Sequence, residues 1–437
     1  MHTLHELNTA IETLGPAKIP SPLPFGRFIQ DSKQLPIHIS QEVLDEAPDE
    51  PMSFEFTEAG PRDKIYFDPS KTKCAIVTCG GLCPGINDVI RSIVLAAHHN
   101  YGLASIVGIR YGLEGFCPQY GHETVELTPR VVSDIHEFGG TMLGSSRGHQ
   151  SAEEIVDALE RMNINILFMI GGDGTMKAAS KIVEEIKDRG LKISVIGVPK
   201  TIDNDIYFVT NSFGFTTAVS KATEAIRCAH TEANGAPNGI GMVKLMGRES
   251  GFIAAEATLA LKEVNFVLVP EDEFDLHGPN GFLASLEQRI KDRGHAVVVV
   301  AEGAGQNLCA VNGKSGATDA SGNPVLCDIC DLLRQEIKTH FDNAGLPFTL
   351  KFIDPSYIIR SVPADPGDRV YCGFLGQHAV HAAMSGKTNM VVSRLQDNFV
   401  YLPLSLVTQK RRKLNINSNY WRAVLESTGQ PIQMRNA

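Results

Sequence analysis

Several short stretches of this chain set phosphate- or proton-handling groups in turns with few bulky side chains. "IGGDGTMKAA" (170–179) follows the apolar run "INILFM" and places Asp173 among Gly171, Gly172, Gly174 and Thr175. Bare glycines let backbone N–H groups approach a phosphate, and a carboxylate there can hold a metal ion against it. A tight strand-to-helix turn would use the same letters. "PKTIDNDI" (199–206) sets Asp203 and Asp205 two residues apart beside Lys200 and Thr201. Phosphoryl transfer to an alcohol needs one carboxylate to accept the hydroxyl proton and others to organise magnesium. Asp and Asn are equally common as plain turn formers.

Other turns carry compatible chemistry. "CGGLCPGIN" (79–87) follows a strand and opens a helix, with Gly80 and Gly81 permitting close approach, but it matches neither the common triphosphate loop nor the dinucleotide fingerprint. "GGTMLGSSRGH" (139–149) offers Arg147 and Gly148, either a phosphate clamp or a solvated loop. "KLMGRESGF" (244–252) puts Arg248 near a helix start, where a cation opposes the dipole and calls for an anionic partner; Glu249 or Glu256 is the ordinary one. "AEGAG" ends an apolar strand with Glu302, suited to sugar hydroxyls. "DPSYIIRS" supplies Tyr357 and Arg360, with Lys351 nearby.

From Cys74 onward, apolar strands alternate with amphipathic helices: "CAIVTC", "ASIVGI", "NILFMI" and "ISVIGVP", then "GMVKLM", "FVLVP", "AVVVVAEG" and "TLKFID". Strands apolar on both faces and joined by helices predict covered parallel sheets, an α/β class. In such sheets ligands bind at strand C-terminal ends, where these turns fall. Residues 1–70, rich in proline and acidic residues, are expected to form an extended arm.

At 437 residues, 43% hydrophobic and 21% charged, the chain has ordinary globular values and room for two domains. The formal net charge of −10 argues against nucleic-acid binding, which needs a basic face. No apolar run is long enough to span a bilayer, and the N-terminal stretch lacks a charged start followed by an apolar core, so a cytoplasmic protein is expected. Nine cysteines predict reduced core thiols and not a disulfide framework, and "CDIC" (327–330) a structural pair.

In order, "CGGLCPGIN", "GGTMLGSSRG", "GGDGT", "PKTIDND", "MGRESGF", "AEG" and "PSYIIR" closely resemble the 6-phosphofructokinases, over about residues 74–392. "GGDGT" alone also occurs in lipid and NAD kinases. Lys200 and the N-terminal extension resemble the branch that includes the pyrophosphate-dependent enzymes, some of whose members use ATP. The resemblance implies two similar three-layer domains with mostly parallel sheets, plus an N-terminal extension (1–70). Residues 71–210 would mainly bind nucleotide and 211–390 mainly sugar phosphate, the chain crossing between them and 391–437 packing back.

The activity implied is transfer of the γ-phosphoryl group of ATP to the 1-hydroxyl of fructose 6-phosphate with Mg²⁺, a step of glycolysis. Gly81, Arg147, Gly148, Gly172, Asp173, Gly174 and Thr175 would surround the nucleotide phosphates, with Asp173 on the metal. Thr201, Ile202 and Asp203 would meet the sugar, Asp203 as base and Asp205 assisting with charge and metal. Met246, Gly247, Arg248, Glu302, Lys351, Tyr357 and Arg360 would hold fructose 6-phosphate, Arg248 also stabilising the transferring group. Gly174 and Lys200 bear on the donor. Pyrophosphate-using relatives carry aspartate where Gly174 stands, which would crowd an α-phosphate, so ATP is expected, although Lys200 is the residue of the pyrophosphate enzymes. The resemblance also implies an allosteric homotetramer, with a dimer as alternative. Other readings are a pyrophosphate-dependent enzyme and a non-catalytic regulatory subunit that binds sugar phosphate.

Overall fold

Apolar runs such as Ile166–Gly171 and Ser194–Pro199 are buried at every position, as strands must be when helices cover both faces of a sheet. A computed structural model describes residues 8–24, 27–39, 52–309 and 325–436. The chain divides into two compact units, one of Met1–Ile202, Ile206–Gly214 and Arg360–Arg411, the other of Asp203–Asp205, Phe215–Ile359 and Arg412–Ala437.

The first unit contains a nine-stranded sheet in the order Gln34–Ile39, Met52–Glu58, Asn398–Pro403, Met390–Leu395, Ser194–Pro199, Ile166–Gly171, Lys73–Thr78, Ser105–Ile109 and Val125–Glu126. The five strands from Met390–Leu395 to Ser105–Ile109 run parallel, and the flanking strands are antiparallel. Helix Ile86–Leu95 packs on Pro366–Met384, and Ala152–Arg161 on Asp173–Asp188. In the second unit a parallel sheet runs Phe266–Leu268, His295–Ala301, Gly239–Leu245, Thr349–Ile353. Helices Phe215–Asn234 and Phe252–Leu261 pack together, as do Phe282–Arg293 and Ile329–Asn343. The class is α/β with mostly parallel sheets, as expected.

The N-terminal arm is not simply extended chain. Gln34–Ile39 and Met52–Glu58 pair with each other and then with Asn398–Pro403, so the arm completes one side of the main sheet. Residues 1–7, 25–26 and 40–51 of the arm lie outside the described residues. Phe54 and Phe56, two positions apart and so on one face of the strand, pack against Phe208 in the core. Pro36 and the acidic flanks hid this short period-2 pattern.

The cysteine expectation also needs correcting. Cys309 and Cys327 form a disulfide, with Cα atoms 6.3 Å apart, so the first cysteine of "CDIC" pairs outside that motif. Cys228 is exposed, whereas Cys74, Cys79, Cys83, Cys117, Cys330 and Cys372 are the buried thiols expected. Cysteine spacing alone does not announce this pairing.

Arg62 ties the arm to the unit it completes. Only 2% exposed, it donates through Nε to Asp31 (2.7 Å), through Nη1 to Gly60 O (2.8 Å) and through Nη2 to Glu58 O (2.8 Å). Asp31 also accepts from the buried Lys387 ammonium at 2.8 Å. Removing a buried guanidinium leaves these acceptors and Lys387 imperfectly matched. Arg62→Ala should therefore cost about 3 kcal/mol of stability, a clear fall in Tm by calorimetry; an unchanged Tm would contradict this role.

Candidate active site

In the first unit the sheet register decides which turns meet. Thr78 lies beside Ile170 and Pro199 beside Gly171, so the turns after the three central strands leave from one edge. Lys200 N donates to Gly171 O (2.9 Å) and Cys79 N to Ile170 O (2.9 Å), extending the pairing into the turns themselves. A Cβ on Gly171 would sit 2.1 Å from Thr175 Oγ1, so the helix Asp173–Asp188 can begin this close to the strand only over glycine.

Three cations converge on Gly81. The buried Lys200 donates through Nζ to Gly81 O at 2.6 Å, and the Gly81 Cβ position lies 3.8 Å from both Arg147 Nη2 and Arg360 Nη1. The loop carrying Arg147 and Gly148 is fastened by Ser145 Oγ donating to Gly80 O (2.6 Å) and by Gly80 N donating to Ser146 O (3.3 Å). Burial pushes the neighbouring Cys79 thiol up to about 12 although the Lys200 ammonium pulls it down, so this cysteine is no nucleophile at neutral pH.

Asp173 stands in the first turn of its helix, its side chain 9% exposed, with Lys177 Nζ at 2.9 Å and Arg411 Nε at 3.6 Å. Gly174 is exposed, and a Cβ there meets nothing within 4 Å. Among the described residues no cluster of three or more His, Cys, Asp or Glu could form a metal cage. One carboxylate beside phosphate oxygens is nonetheless how magnesium is often bound, so Asp173 fits that ion. Thr201 O accepts from Ser212 Oγ at 2.6 Å, and Ile202 is buried.

In the second unit, Leu245 and Ala301 are register partners at the ends of parallel strands, which sets Met246–Arg248 beside Glu302 and Gly303. Glu302 N donates to Leu245 O (2.9 Å) and Gly303 N to Gly247 O (3.1 Å); a Cβ on Gly303 would fall 1.9 Å from Arg248 O. Asp203 and Asp205 belong to this unit too. Asp203 O accepts from Ser250 Oγ at 2.9 Å, and Asn204 between them is buried with φ 55°. Tyr357 is 74% exposed. Lys351 is not gathered with the Met246–Arg248 loop: it pairs with Gly241, four residues before the strand end at Leu245, and its Nζ lies 3.9 Å from Glu232. Glu256, an ordinary candidate partner for Arg248, accepts from Tyr420 Oη.

Glu271, Arg411 and Arg412 were not singled out from the sequence. Arg411 reaches Asp173, and Arg412 N donates to Asp205 O at 2.8 Å. Glu271 Oε1 accepts from Gly251 N (3.1 Å), just before helix Phe252–Leu261, and from Leu414 N (2.8 Å). The side-chain acceptor at that helix start is thus Glu271. The basic run "QKRRK" and the acidic "PEDEFD" were visible signals, but neither follows a recognisable spacing.

A family model described as Phosphofructokinase matches residues 73–383. The chain is 53% identical over 384 residues to the ATP-dependent 6-phosphofructokinase of Borreliella burgdorferi, covering 86% of each chain. It is 51% identical over 382 residues to that of Amycolatopsis methanolica, covering 86% of this chain and 83% of the relative. Among solved structures it resembles a pyrophosphate-dependent phosphofructokinase from Marinobacter aquaeolei, with TM-score 0.67 and 21% identity over 82% of this chain and 91% of that one, a likeness of fold.

Glu271 also generates a pH dependence. Burial pushes its carboxyl from 4.5 up to about 7, against the backbone donors and Lys413 that favour the charged form. The folded chain therefore holds this proton more tightly than the unfolded one. The resulting stabilisation is complete below about 4.5 and is lost as pH rises through about 7. Glu271→Gln should accordingly gain Tm relative to the parent between pH 5 and pH 8. A constant difference in thermal unfolding across that range would contradict the assignment.

Proposed function

The chain belongs to the phosphofructokinase family, and we propose on that premise that it phosphorylates fructose 6-phosphate at the 1-hydroxyl with ATP, giving fructose 1,6-bisphosphate and ADP. Supporting the donor half of this reading, three cations meet at Gly81 beside the turn Gly171–Thr175, an arrangement suited to polyphosphate. Gly81, Arg147, Gly148 and Gly172–Thr175 line the nucleotide phosphates, and Arg360 binds fructose 6-phosphate. Asp173 would hold magnesium, with Asp205 adding charge for it. Bound magnesium would neutralise charge on the phosphates.

Asp203 takes the proton of the 1-hydroxyl as that oxygen attacks the γ-phosphorus, and the ADP oxygen leaves with the bond electrons. Thr201 and Ile202 flank the sugar. Met246, Gly247, Arg248, Glu302 and Tyr357 hold fructose 6-phosphate, Arg248 also stabilising the transferring group. Lys351 as a sugar-phosphate ligand and a homo-oligomer, a tetramer or a dimer, belong to this reading through the family resemblance alone. No helix of the described residues is long and apolar enough to cross a membrane, and a cytoplasmic location is part of the proposal.

The observation that carries the choice of ATP is the open space at Gly174. Packing does not demand glycine there, and its φ is not in the left-handed region, so its smallness is available to an α-phosphate. Gly174→Asp should fold normally while ATP-dependent turnover falls by at least tenfold, a modest cost for placing a charge against a phosphate. Unchanged ATP turnover would move donor selection elsewhere. In a coupled assay with fructose 6-phosphate, magnesium and either donor, Asp203→Ser should lower kcat by about 10²- to 10⁴-fold with little change in KM. Near-normal kcat would remove Asp203 from the base role.

A further inference from the structure

All three backbone carbonyls of the Asp203–Asp205 turn are held from outside it. Asp203 O accepts from Ser250 Oγ (2.9 Å), Asn204 O from Arg412 Nη1 (3.5 Å) and Asp205 O from Arg412 N (2.8 Å). Arg412 is itself fixed, its guanidinium carbon lying 4.4 Å from the centre of the Phe252 ring. The two holders are joined by one side chain. Glu271 Oε1 accepts from Gly251 N, next to Ser250, and from Leu414 N, two residues after Arg412. Glu271 Oε2 is shut off from solvent and has no hydrogen-bond partner, so both bonds of this carboxylate go to backbone donors through one oxygen.

Asn204 needs such support. Its left-handed backbone costs free energy for a non-glycine residue, and it is buried, so the turn's shape is not set by local preference alone. A base must sit within hydrogen-bond reach of the hydroxyl it deprotonates, and a displacement of about 1 Å can cost about 100-fold in rate. We propose that Arg412 and Glu271 are positioning residues that hold the carboxylates of Asp203 and Asp205 in register for the reaction, making the segment after Arg411 part of the catalytic apparatus. The inference rests on Asp203 acting as the base.

The test compares kcat and both KM values of the full-length chain with those of Arg412→Ala, Glu271→Ala, Glu271→Gln and Arg412→Ala in an Asp203→Ser background. Both alanine variants should lose about 10- to 100-fold in kcat, with KM for ATP changed less than about twofold because ground-state binding of the donor is untouched. Glu271→Gln keeps an oxygen for Gly251 N and Leu414 N and should restore most of the rate. In the Asp203→Ser background, Arg412→Ala should add almost nothing, since there is no base left to aim. Where Arg412→Ala fails to fold, Arg412→Lys carries the same comparisons, because it keeps the alkyl stem and the positive charge beside Phe252 but loses the planar guanidinium. Near-parental kcat in the folded alanine or lysine variants overturns the proposal, as does a full loss repeated in the Asp203→Ser background. Near-parental kcat in Asp203→Ser alone overturns instead the functional reading on which it rests.

Discussion

In-register parallel pairing of Ile166–Gly171 with Lys73–Thr78 on one side and Ser194–Pro199 on the other is the constraint on which the first unit depends. Parallel neighbours end at the same level, so three turns with little in common in sequence are delivered to one edge. A slip of one residue would turn every side chain to the opposite face, where each would have to pack against a different set of helices. The meeting of Lys200, Arg147 and Arg360 at Gly81 follows from that pairing and from the loop fastened by Ser145. The second unit applies the same rule when Leu245 and Ala301, paired, set the Met246–Arg248 and Glu302–Gly303 turns side by side.

Much of this frame was legible in the sequence because burial on both faces writes itself as continuous apolar runs. "CAIVTC" and "ISVIGVP" are strands to within a residue or two, at Lys73–Thr78 and Ser194–Pro199. The arm was misread for a physical reason: Met52–Glu58 pairs with a strand hundreds of residues away, and only Phe54 and Phe56 mark its buried face. Likewise the bond between Cys309 and Cys327 is a tertiary pairing, which cysteine spacing does not encode.

The turns around the reactive carboxylates were legible as chemistry but not as mechanics. "PKTIDND" announces carboxylates and "MGRESG" a cation. Nothing in either says that Ser250 will take the carbonyl of Asp203, or that a glutamate 20 residues further on will bond the backbone between Ser250 and Phe252. Backbone acceptors have no residue letter. Arg412 and Leu414 each add a main-chain N–H bond to the side-chain contacts of Arg412, which is why a basic run that looks like solvated surface has a specific seat.

The strand order of the first unit also bears on how the chain is made. Met390–Leu395 fills an interior position between Ser194–Pro199 and Asn398–Pro403, and the arm strand Met52–Glu58 has its inner partner in Asn398–Pro403. During vectorial synthesis the earliest strands therefore leave the ribosome long before the backbone they must pair with exists. Until Met390–Leu395 and Asn398–Pro403 emerge, Ser194–Pro199 and Met52–Glu58 each present an unsatisfied ladder edge. Completion of this sheet waits for Met390–Leu395 and Asn398–Pro403, and a chain ending before those strands would have an open seam beside Ser194–Pro199.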